Sequence, residues 1–252
     1  RGVGVGLVEE QHRVLLGRRL RNVEVRRADL RRDFPHDLGQ RITGSRVTGL
    51  RRRAKYGLID TDRGDTIIFH LGMSGRWRID PDEIGAHDHL LLETDDGRQL
   101  SLNDPRRFGS VDLVRTDAVE TWPPIANMGP EPTDLDAASL RASLAGRTAA
   151  IKLLLLDQSI VAGLGNIYVD EALHCARLHP ERLARSLTDD EVDRLYDAIV
   201  AILAIAVPLG GDQASGLVEQ EQAGVGRRAH RCIDRSGVRT RQLDGLIHGR
   251  LS

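Results

Sequence analysis

Four prolines within ten positions divide this chain of 252 residues: Pro123, Pro124, Pro130 and Pro132. Proline fixes φ, has no amide hydrogen to donate, and pushes the preceding residue toward extended backbone, so a regular strand or helix cannot continue through such a run. The spacing predicts an extended linker over residues 119–135. The chain is long enough for a domain with its own core on each side of this linker.

The segment before the linker has the pattern of short strands. Residues 46–60 and 65–79 read as strands around a polar turn at Asp62-Arg-Gly64, and residues 20–35 as a strand followed by a turn. Asp96-Gly97 supplies the positive φ angles of a tight hairpin turn. The pattern predicts a β-sandwich or barrel over residues 1–118.

The segment after the linker, residues 136–211, has the pattern of helices. Short helices are predicted over residues 139–144, 151–156 and 167–173. Thr188 and Glu191 form a capping box that begins a longer helix, with Leu187 as its hydrophobic staple. One apolar face of that helix is predicted to consist of Val192, Leu195, Ile199, Ile202 and Leu203. The fold class is therefore α+β with more than one domain, and residues 212–252 carry no confident strand.

Lysine is rare in this chain. Of 36 basic residues only Lys55 and Lys152 are lysines, and the others are arginines. Genome composition usually explains such a bias. Because an amine can lose a proton and a guanidinium effectively cannot, these two lysines are still the first candidates for chemistry.

The net charge of −1 conceals two basic ends. Residues 1–60 carry fifteen basic and seven acidic side chains, and residues 226–252 carry seven and two. Such ends can present a basic face to a polyanion, although solvated arginines explain them equally well. No apolar run approaches ~20 residues and no signal-peptide pattern is present, so we expect a cytoplasmic protein without a membrane span.

Three short segments combine residues that suit nucleic acid. His70-Leu-Gly-Met-Ser-Gly75 places a methionine at a glycine turn, and Asn103-Asp-Pro-Arg-Arg-Phe-Gly109 places two arginines and a phenylalanine in a loop. Gly163-Leu-Gly-Asn-Ile-Tyr168 is a glycine turn before a helix start, which suits a phosphate. Each segment alone is weak evidence, since a methionine or phenylalanine more often packs in a core. Together they are the parts needed to open a duplex and hold a flipped nucleotide.

The chain resembles the formamidopyrimidine-DNA glycosylase and endonuclease VIII family. Eight strings occur in the family's order and spacing between about residue 17 and Gly211: RRAKY (52–56), HLGMSG (70–75), HDH (87–89), NDPRRFG (103–109), MGPEP (128–132), AIKLLLLDQ (150–158), VAGLGNIYVDEAL (161–173) and HPER (179–182). The resemblance implies a β-sandwich domain joined to a helix–two-turn–helix domain, with DNA in the cleft between them. It also implies a base-excision-repair DNA glycosylase and AP lyase, which removes oxidised purines (8-oxoguanine, formamidopyrimidines) from duplex DNA.

The resemblance assigns roles to residues of the β half. The family's amino-terminal proline attacks the sugar carbon, expels the base, and nicks the strand by elimination. Lys55 matches the lysine assigned to proton transfer in that elimination. Met73, Arg106 and Phe108 match the triad that fills the gap left by the everted base, and we call them the wedge residues. The phenylalanine in this loop favours the oxidised-purine branch over endonuclease VIII.

Further residues match DNA contacts of the family. His87 and Arg106 match DNA-binding positions, Lys152 and Asn166 match residues that grip backbone phosphate near the lesion, and Glu171 matches an acidic position near the pocket. The string His87-Asp-His89 also suits a metal site, but with no third ligand nearby we prefer DNA contact. The expected partner is duplex DNA with oxidised-purine or abasic lesions, bound by a monomer.

Both ends of the chain depart from the family pattern. The family begins Pro-Glu-Leu-Pro-Glu, whereas this sequence begins Arg1-Gly2-Val3, so a catalytically inactive DNA-binding relative is the alternative function. Borohydride traps such enzymes on DNA by reducing the Schiff base between the proline amine and the sugar. Because the sequence as given lacks this proline, we expect it to be trapped poorly. The family's four-cysteine zinc hairpin is reduced to Cys232, and Arg250 resembles its fingertip arginine. We therefore expect a degenerate finger region over residues 212–252, with no metal and no cofactor.

Overall fold

The computed structural model describes residues 11–206. The chain divides into two compact units, and the division falls between Ala126 and Asn127, within the segment predicted as a linker. Of the elements within residues 11–206, the first unit contains the eight strands and the second contains the longer helices. The α+β fold class is therefore confirmed.

The first unit is a β-sandwich of two antiparallel four-stranded sheets. One sheet has the order β1-β6-β7-β5 and the other the order β2-β3-β4-β8. The strands are β1 (Leu20–Val25), β2 (Val47–Arg53), β3 (Tyr56–Thr61), β4 (Asp65–His70), β5 (Arg76–Ile79), β6 (Asp88–Thr94), β7 (Gln99–Asn103) and β8 (Ser110–Arg115). Residues 11–15 are helical (α1), and Leu38–Ile42 forms a short helix (α2) that the sequence pattern did not predict. Five residues are too few to show a helical period.

The core of this unit lies between the two sheets. Leu90 and Leu100 of one sheet share a buried cluster with Ile59 and Ile67 of the other. Phe69 of β4 meets Trp77 of β5 edge to face, with ring centroids 5.4 Å apart. This aromatic pair joins a strand of each sheet. The strand pattern of the sequence was compatible with a sandwich or a barrel, and the structure is a sandwich.

The proline-rich segment is not extended throughout, so that expectation is wrong. It contains a 3-10 helix at Thr116–Thr121, the short helix α3 at Pro123–Ala126, and a second 3-10 helix at Pro132–Asp134. Proline at the first positions of a helix has the required φ and loses no hydrogen bond. Val119 and Ile125 are buried against the outer face of the second sheet, which holds the segment in place.

The helical unit follows the predicted pattern closely. Its helices are α4 (Ala137–Leu144), α5 (Ile151–Leu156), α6 (Asn166–Cys175) and α7 (Asp189–Ala206). The capping box at the start of α7 is confirmed, because the Glu191 N–H donates to Thr188 Oγ1 at 3.3 Å and the Thr188 N–H donates to Glu191 Oε2 at 2.9 Å. The predicted apolar face of α7 packs into the unit's core: Val192, Leu195, Ile199 and Ile202 are buried and Leu203 is partly buried.

Two helices have bounds that differ from the prediction. α4 begins at Ala137 rather than residue 139, because Asp136 accepts the Ser139 N–H at 2.7 Å and caps the helix. α6 begins at Asn166, one residue before the predicted start, and extends to Cys175, two residues beyond the predicted end. The expectations for Arg1, Cys232, Arg250 and residues 212–252 lie outside the described residues. No helix within residues 11–206 is both long and apolar enough to cross a membrane.

Candidate nucleic-acid interface

Lys55 lies at the tip of the hairpin that joins β2 to β3. Arg53 and Tyr56 pair across the hairpin, so Ala54 and Lys55 form a two-residue turn. Ala54 takes a positive φ of 52°, and its carbonyl accepts a hydrogen bond from Arg52 at 2.7 Å. The Lys55 side chain is exposed, yet protein atoms around its ammonium group remove part of its hydration. This desolvation lowers the pKa of Lys55 and so favours the neutral amine that a proton acceptor needs.

His70 stands beside Lys55 at the end of β4. It pairs with Tyr56 across β3 and β4, and the two ring centroids are 5.1 Å apart. Burial, with the positive charges of Lys55, Arg31 and Arg32, lowers the pKa of His70 to about 4. The neutral ring accepts the Gly72 N–H at Nδ1, at 2.9 Å. The remaining proton is therefore assigned to Nε2.

Asp112 on the neighbouring strand β8 forms an ion pair with the exposed Arg32. Arg32 donates to Asp112 Oδ2 at 2.7 Å and to Ser110 Oγ at 3.1 Å. Burial raises the pKa of Asp112, and the positive charge of Arg32 opposes that rise. The Arg32 guanidinium also lies 5.9 Å from the ring centroid of Trp122. Arg32 is one of the positive charges that lower the pKa of His70.

Two loops carry the wedge residues and pack backbone against backbone. The first loop, residues 71–75, joins β4 to β5, and the second, residues 104–109, joins β7 to β8. Gly72 has a φ of 64°, and a Cβ atom on it would lie 2.5 Å from the carbonyl carbon of Phe108. A Cβ on Gly109 would lie 2.7 Å from the carbonyl oxygen of His70. Only glycine fits at both places. These close backbone contacts hold the two loops, which we call the loop pair, in a fixed position relative to each other.

Asp104 links the loop pair through hydrogen bonds. This fully buried carboxylate accepts Ser74 Oγ–H at 2.5 Å and the Gly109 N–H at 2.8 Å. Its backbone N–H donates to the His87 carbonyl at 2.9 Å, and its carbonyl oxygen is 3.0 Å from His89 Nε2. Asp104 therefore connects three of the family strings by hydrogen bonds: HLGMSG, HDH and its own string, NDPRRFG.

The wedge residues project from this support. Met73 is 71% exposed and Phe108 is 43% exposed, although both are large and apolar. Arg106 is also exposed, and its guanidinium lies over the Phe108 ring at 4.7 Å from the centroid. A stacked arginine and an exposed methionine on a rigid base are suited to enter a base stack.

His87 and His89 differ in environment. His87 is exposed just before β6, whereas the His89 ring is buried against the backbone of Asp104. Asp88 between them is buried and accepts hydrogen bonds from Gly85, Ser101, Asn103 and Arg78. Burial would raise the pKa of Asp88, but these bonds outweigh it and the pKa is lowered. Within residues 11–206, no three His, Cys, Asp or Glu side chains are placed to hold a metal ion.

In the helical unit, Lys152 lies on α5 and Asn166 begins α6. Lys152 Nζ lies 2.7 Å from Asp170 Oδ1, and this pair connects the two helices. Asn166 is the exposed first residue of α6, and the residue before it, Gly165, provides no side-chain cap. The first amide groups of the helix are thus left to solvent or to a ligand. Glu171 follows on α6, and its charge adds to burial in raising the pKa of Cys175.

Gln158 holds the glycine turn that precedes α6. Its side-chain oxygen accepts the Gly163 N–H at 2.9 Å, and its amide donates to the carbonyls of Leu156 and Leu164. The Gly163 N–H is therefore used internally, and only the later amides of the turn remain for a phosphate. The backbone of Gly129 docks on the same turn, with its N–H 2.9 Å from the Gln158 carbonyl.

The structure thus groups the residues that sequence matching selected. Lys55 stands beside His70 at one place in the sandwich, and the wedge residues and His87 share the Asp104 connection. Lys152, Asn166 and Glu171 lie on neighbouring helices of the other unit. Sequence reasoning missed Asp104, Ser74 and Asp170. An Asp before a proline in a loop was the one available signal, because such residues often bond to nearby backbone.

Comparison with known proteins gives consistent matches over both units. The formamidopyrimidine-DNA glycosylase N-terminal domain matches residues 5–111, and the formamidopyrimidine-DNA glycosylase H2TH domain matches residues 128–217. The formamidopyrimidine-DNA glycosylase of Rhizorhabdus wittichii is 63% identical over 199 residues, which are 78% of this chain and 74% of the relative. That of Novosphingobium aromaticivorans is 62% identical over 200 residues, which are 79% and 74% of the two chains.

Solved structures agree with these sequence matches. The Lactococcus lactis protein in complex with Fapy-dG-containing DNA has a TM-score of 0.75 and 34% identity, and covers 82% of this chain and 80% of its own. The Lactococcus lactis formamidopyrimidine-DNA glycosylase bound non-covalently to DNA with an AP site has a TM-score of 0.75 and 32% identity, and covers 85% and 84%. The two domain models together span more than half of the sequence. The chain belongs to the formamidopyrimidine-DNA glycosylase family.

Proposed function

We propose that this chain is a base-excision-repair DNA glycosylase that removes oxidised purines, 8-oxoguanine and formamidopyrimidines, from duplex DNA and nicks the strand as an AP lyase. The observation that carries the proposal is the exposure of Met73, Arg106 and Phe108 on the rigid loop pair. Single exposed apolar side chains are common, but two of them beside an arginine on one loop pair form a patch that suits a binding partner. Relatives of known structure hold DNA with a Fapy-dG or an AP site, which supports a damaged duplex as the partner.

The wedge residues are proposed to stabilise the opened duplex. When a nucleotide leaves the stack, its neighbours lose stacking and the opposite base loses its partner. Met73 and Phe108 would fill the gap with apolar surface, and Arg106 would offer hydrogen bonds to the opposite base. Because Asp104 and the glycines fix the loop pair, little conformational entropy is lost when these side chains bind.

Lys55 is proposed to transfer a proton during strand nicking. In β-elimination a proton leaves the sugar carbon next to the reacting one, and the bond to the following phosphate breaks. A group that takes or returns this proton must reach a neutral state, which the lowered pKa of Lys55 favours. The family's nucleophile is the amine of an amino-terminal proline, and the sequence as given has no proline before Pro35, so the proposed activities are those of the protein when it carries the family's Pro-Glu start.

The remaining site residues are proposed to bind the DNA backbone. His87 and Arg106 on the sandwich, and Lys152 and Asn166 on the helical unit, are exposed or partly exposed groups that can donate hydrogen bonds to phosphate. Glu171 is proposed to lie near the base pocket. The monomeric state, the cytoplasmic location and the lack of bound zinc stay predictions.

The proposal is tested with a duplex that carries a single 8-oxoguanine opposite cytosine. The purified protein is incubated with it, and released base is measured by mass spectrometry, with the same duplex carrying guanine as the control. We expect free 8-oxoguanine from the first duplex and no free base from the second. Binding without base release would favour the alternative of an inactive DNA-binding relative, and neither binding nor release would contradict both functions.

A further inference from the structure

The ammonium group of Lys152 already has an anionic partner within the protein. Its Nζ lies 2.7 Å from Oδ1 and 3.0 Å from Oδ2 of Asp170. Lys152 is the second residue of α5 and Asp170 the fifth of α6. The cation proposed to bind a DNA phosphate therefore faces a carboxylate that carries the same charge as that phosphate.

The ion pair is accessible to solvent and to a ligand. The Lys152 side chain is 29% exposed and that of Asp170 is 46% exposed. Water screens a pair at such a surface, so the pair is weak and a phosphate can compete with it. Asp170 is not part of the buried cluster of this unit, so the fold does not require its side chain for packing.

Asp170 is also close to the second proposed phosphate contact. Asn166 precedes it by four residues on α6, and residues at this spacing lie on the same face of a helix. A phosphate that approaches Asn166 and the first amides of α6 therefore meets the negative charge of Asp170. This charge opposes the binding of the phosphate at both contacts.

We propose that Asp170 lowers the affinity of this protein for the DNA backbone by competing with phosphate for Lys152. The inference rests on the proposed function, because it takes DNA as the ligand. Backbone contacts carry no sequence information, so the effect applies to undamaged and damaged duplex alike. A protein that must search undamaged DNA benefits from weaker binding there, because it dissociates and samples new sites sooner.

The test compares the wild-type protein with Asp170→Asn by fluorescence anisotropy on an undamaged duplex of about 20 base pairs, at several salt concentrations. The amide keeps the shape of the carboxylate and removes its charge. We expect the variant to bind about two- to five-fold more tightly at low salt, the range set by the weak energy of an exposed pair. The log–log dependence of affinity on salt should steepen by up to about 0.9, the contribution of one phosphate contact.

Asp190→Asn is the matched control. Asp190 is exposed in the first turn of α7, so its substitution changes the net charge by the same amount. This control should leave the affinity within about two-fold of the wild-type value, as expected for a charge without a phosphate contact nearby.

A double-mutant cycle then tests whether Asp170 acts through Lys152. In a Lys152→Ala background, Asp170→Asn should give no more gain than the control does. The inference is overturned if Asp170→Asn binds DNA no more tightly than wild type, if it binds more weakly, or if the gain persists without Lys152. Weaker binding would mean that Asp170 orients Lys152 toward the phosphate. If the wild-type protein does not bind DNA at all, the proposed function fails and this inference with it.

Discussion

Two phenylalanines of the sandwich illustrate different roles of one residue type. Phe108 is 43% exposed on the loop pair, whereas Phe69 is 6% exposed in the core. We predict that Phe108→Ala changes the free energy of unfolding by at most about 1 kcal/mol and impairs binding to lesion-containing duplex. Phe69→Ala, the matched control, should cost about 3–5 kcal/mol because it leaves a cavity. Urea unfolding and binding titrations measure both effects, and a core-sized loss at Phe108 would make it a structural residue.

His70 predicts a specific dependence of stability on pH. Its pKa is about 4 in the folded protein and near its ordinary value of 6.5 in the unfolded chain. As the pH falls through this window the unfolded chain takes up a proton that the folded protein does not, so the free energy of unfolding declines. His70→Asn, which keeps an acceptor for the Gly72 N–H, should lose less stability than wild type between about pH 7.5 and about pH 4.5. If urea unfolding shows that wild type and His70→Asn lose the same free energy of unfolding as the pH falls, His70 does not titrate in this way.

At the residue scale, sequence matching located the exposed functional side chains but not the buried residues that hold their loops by hydrogen bonds. Lys55 and Lys152 stood out because lysine is rare here, and Met73 and Phe108 because apolar side chains sat in glycine-bounded loops. Asp104 was missed because its partner Ser74 is thirty positions away in the chain. A single sequence does not show which distant residues meet.

The loop pair gives a prediction at the scale of the structural element. Gly72 and Gly97 both have positive φ, at 64° and 84°, but only a Cβ on Gly72 meets backbone atoms, those of Phe108 and Gly109. Gly97→Ala should therefore cost about 1–2 kcal/mol from the left-handed backbone alone. Gly72→Ala should cost more and should also weaken binding to lesion-containing duplex, because the second loop must move. If Gly72→Ala and Gly97→Ala lower the free energy of unfolding equally in urea, and Gly72→Ala leaves DNA binding unchanged, the packing of the loop pair is contradicted.

Elements with strong local signals were predicted well, and those held by tertiary contacts were not. Helix α7 has a capping box and a repeated apolar face, and both are present in the structure. The helical turns of the proline-rich segment depend instead on the burial of Val119 and Ile125 against a sheet. The proline pattern contains no information about that sheet.

At the scale of the whole molecule, binding to duplex DNA should weaken steeply as salt increases. Each phosphate contact contributes about 0.9 to the log–log slope, because binding releases condensed counterions. Lys152→Ala should reduce the slope by at most this amount, because Asp170 competes with phosphate for the same ammonium group. Arg98→Ala is the matched control, since Arg98 pairs with Asp80 in the sandwich and matches no DNA contact. A slope that is flat for wild type, or equal losses for the two variants, would contradict the proposed backbone contacts.

The two-part architecture was accessible from the sequence because the proline run and the change from strand to helix patterns coincide. The proximity of the strings HLGMSG, HDH and NDPRRFG was not accessible, since it depends on the ends of β4 and β7 lying near the start of β6. The resemblance implied their roles, and the structure adds the connection through Asp104.

The claim that this chain both removes an oxidised base and nicks the strand is tested most directly by one single-turnover reaction on duplex DNA with one 8-oxoguanine. Samples treated with alkali report base loss, because alkali cleaves every abasic site, and untreated samples report nicking by the protein. The account predicts both products for the protein that carries the family's Pro-Glu start, and for Lys55→Ala in the same protein a loss of nicking that exceeds the loss of base release by a factor of about 100 or more, as expected for proton transfer. Product in neither sample despite DNA binding, or an equal loss of both activities in Lys55→Ala, would contradict it.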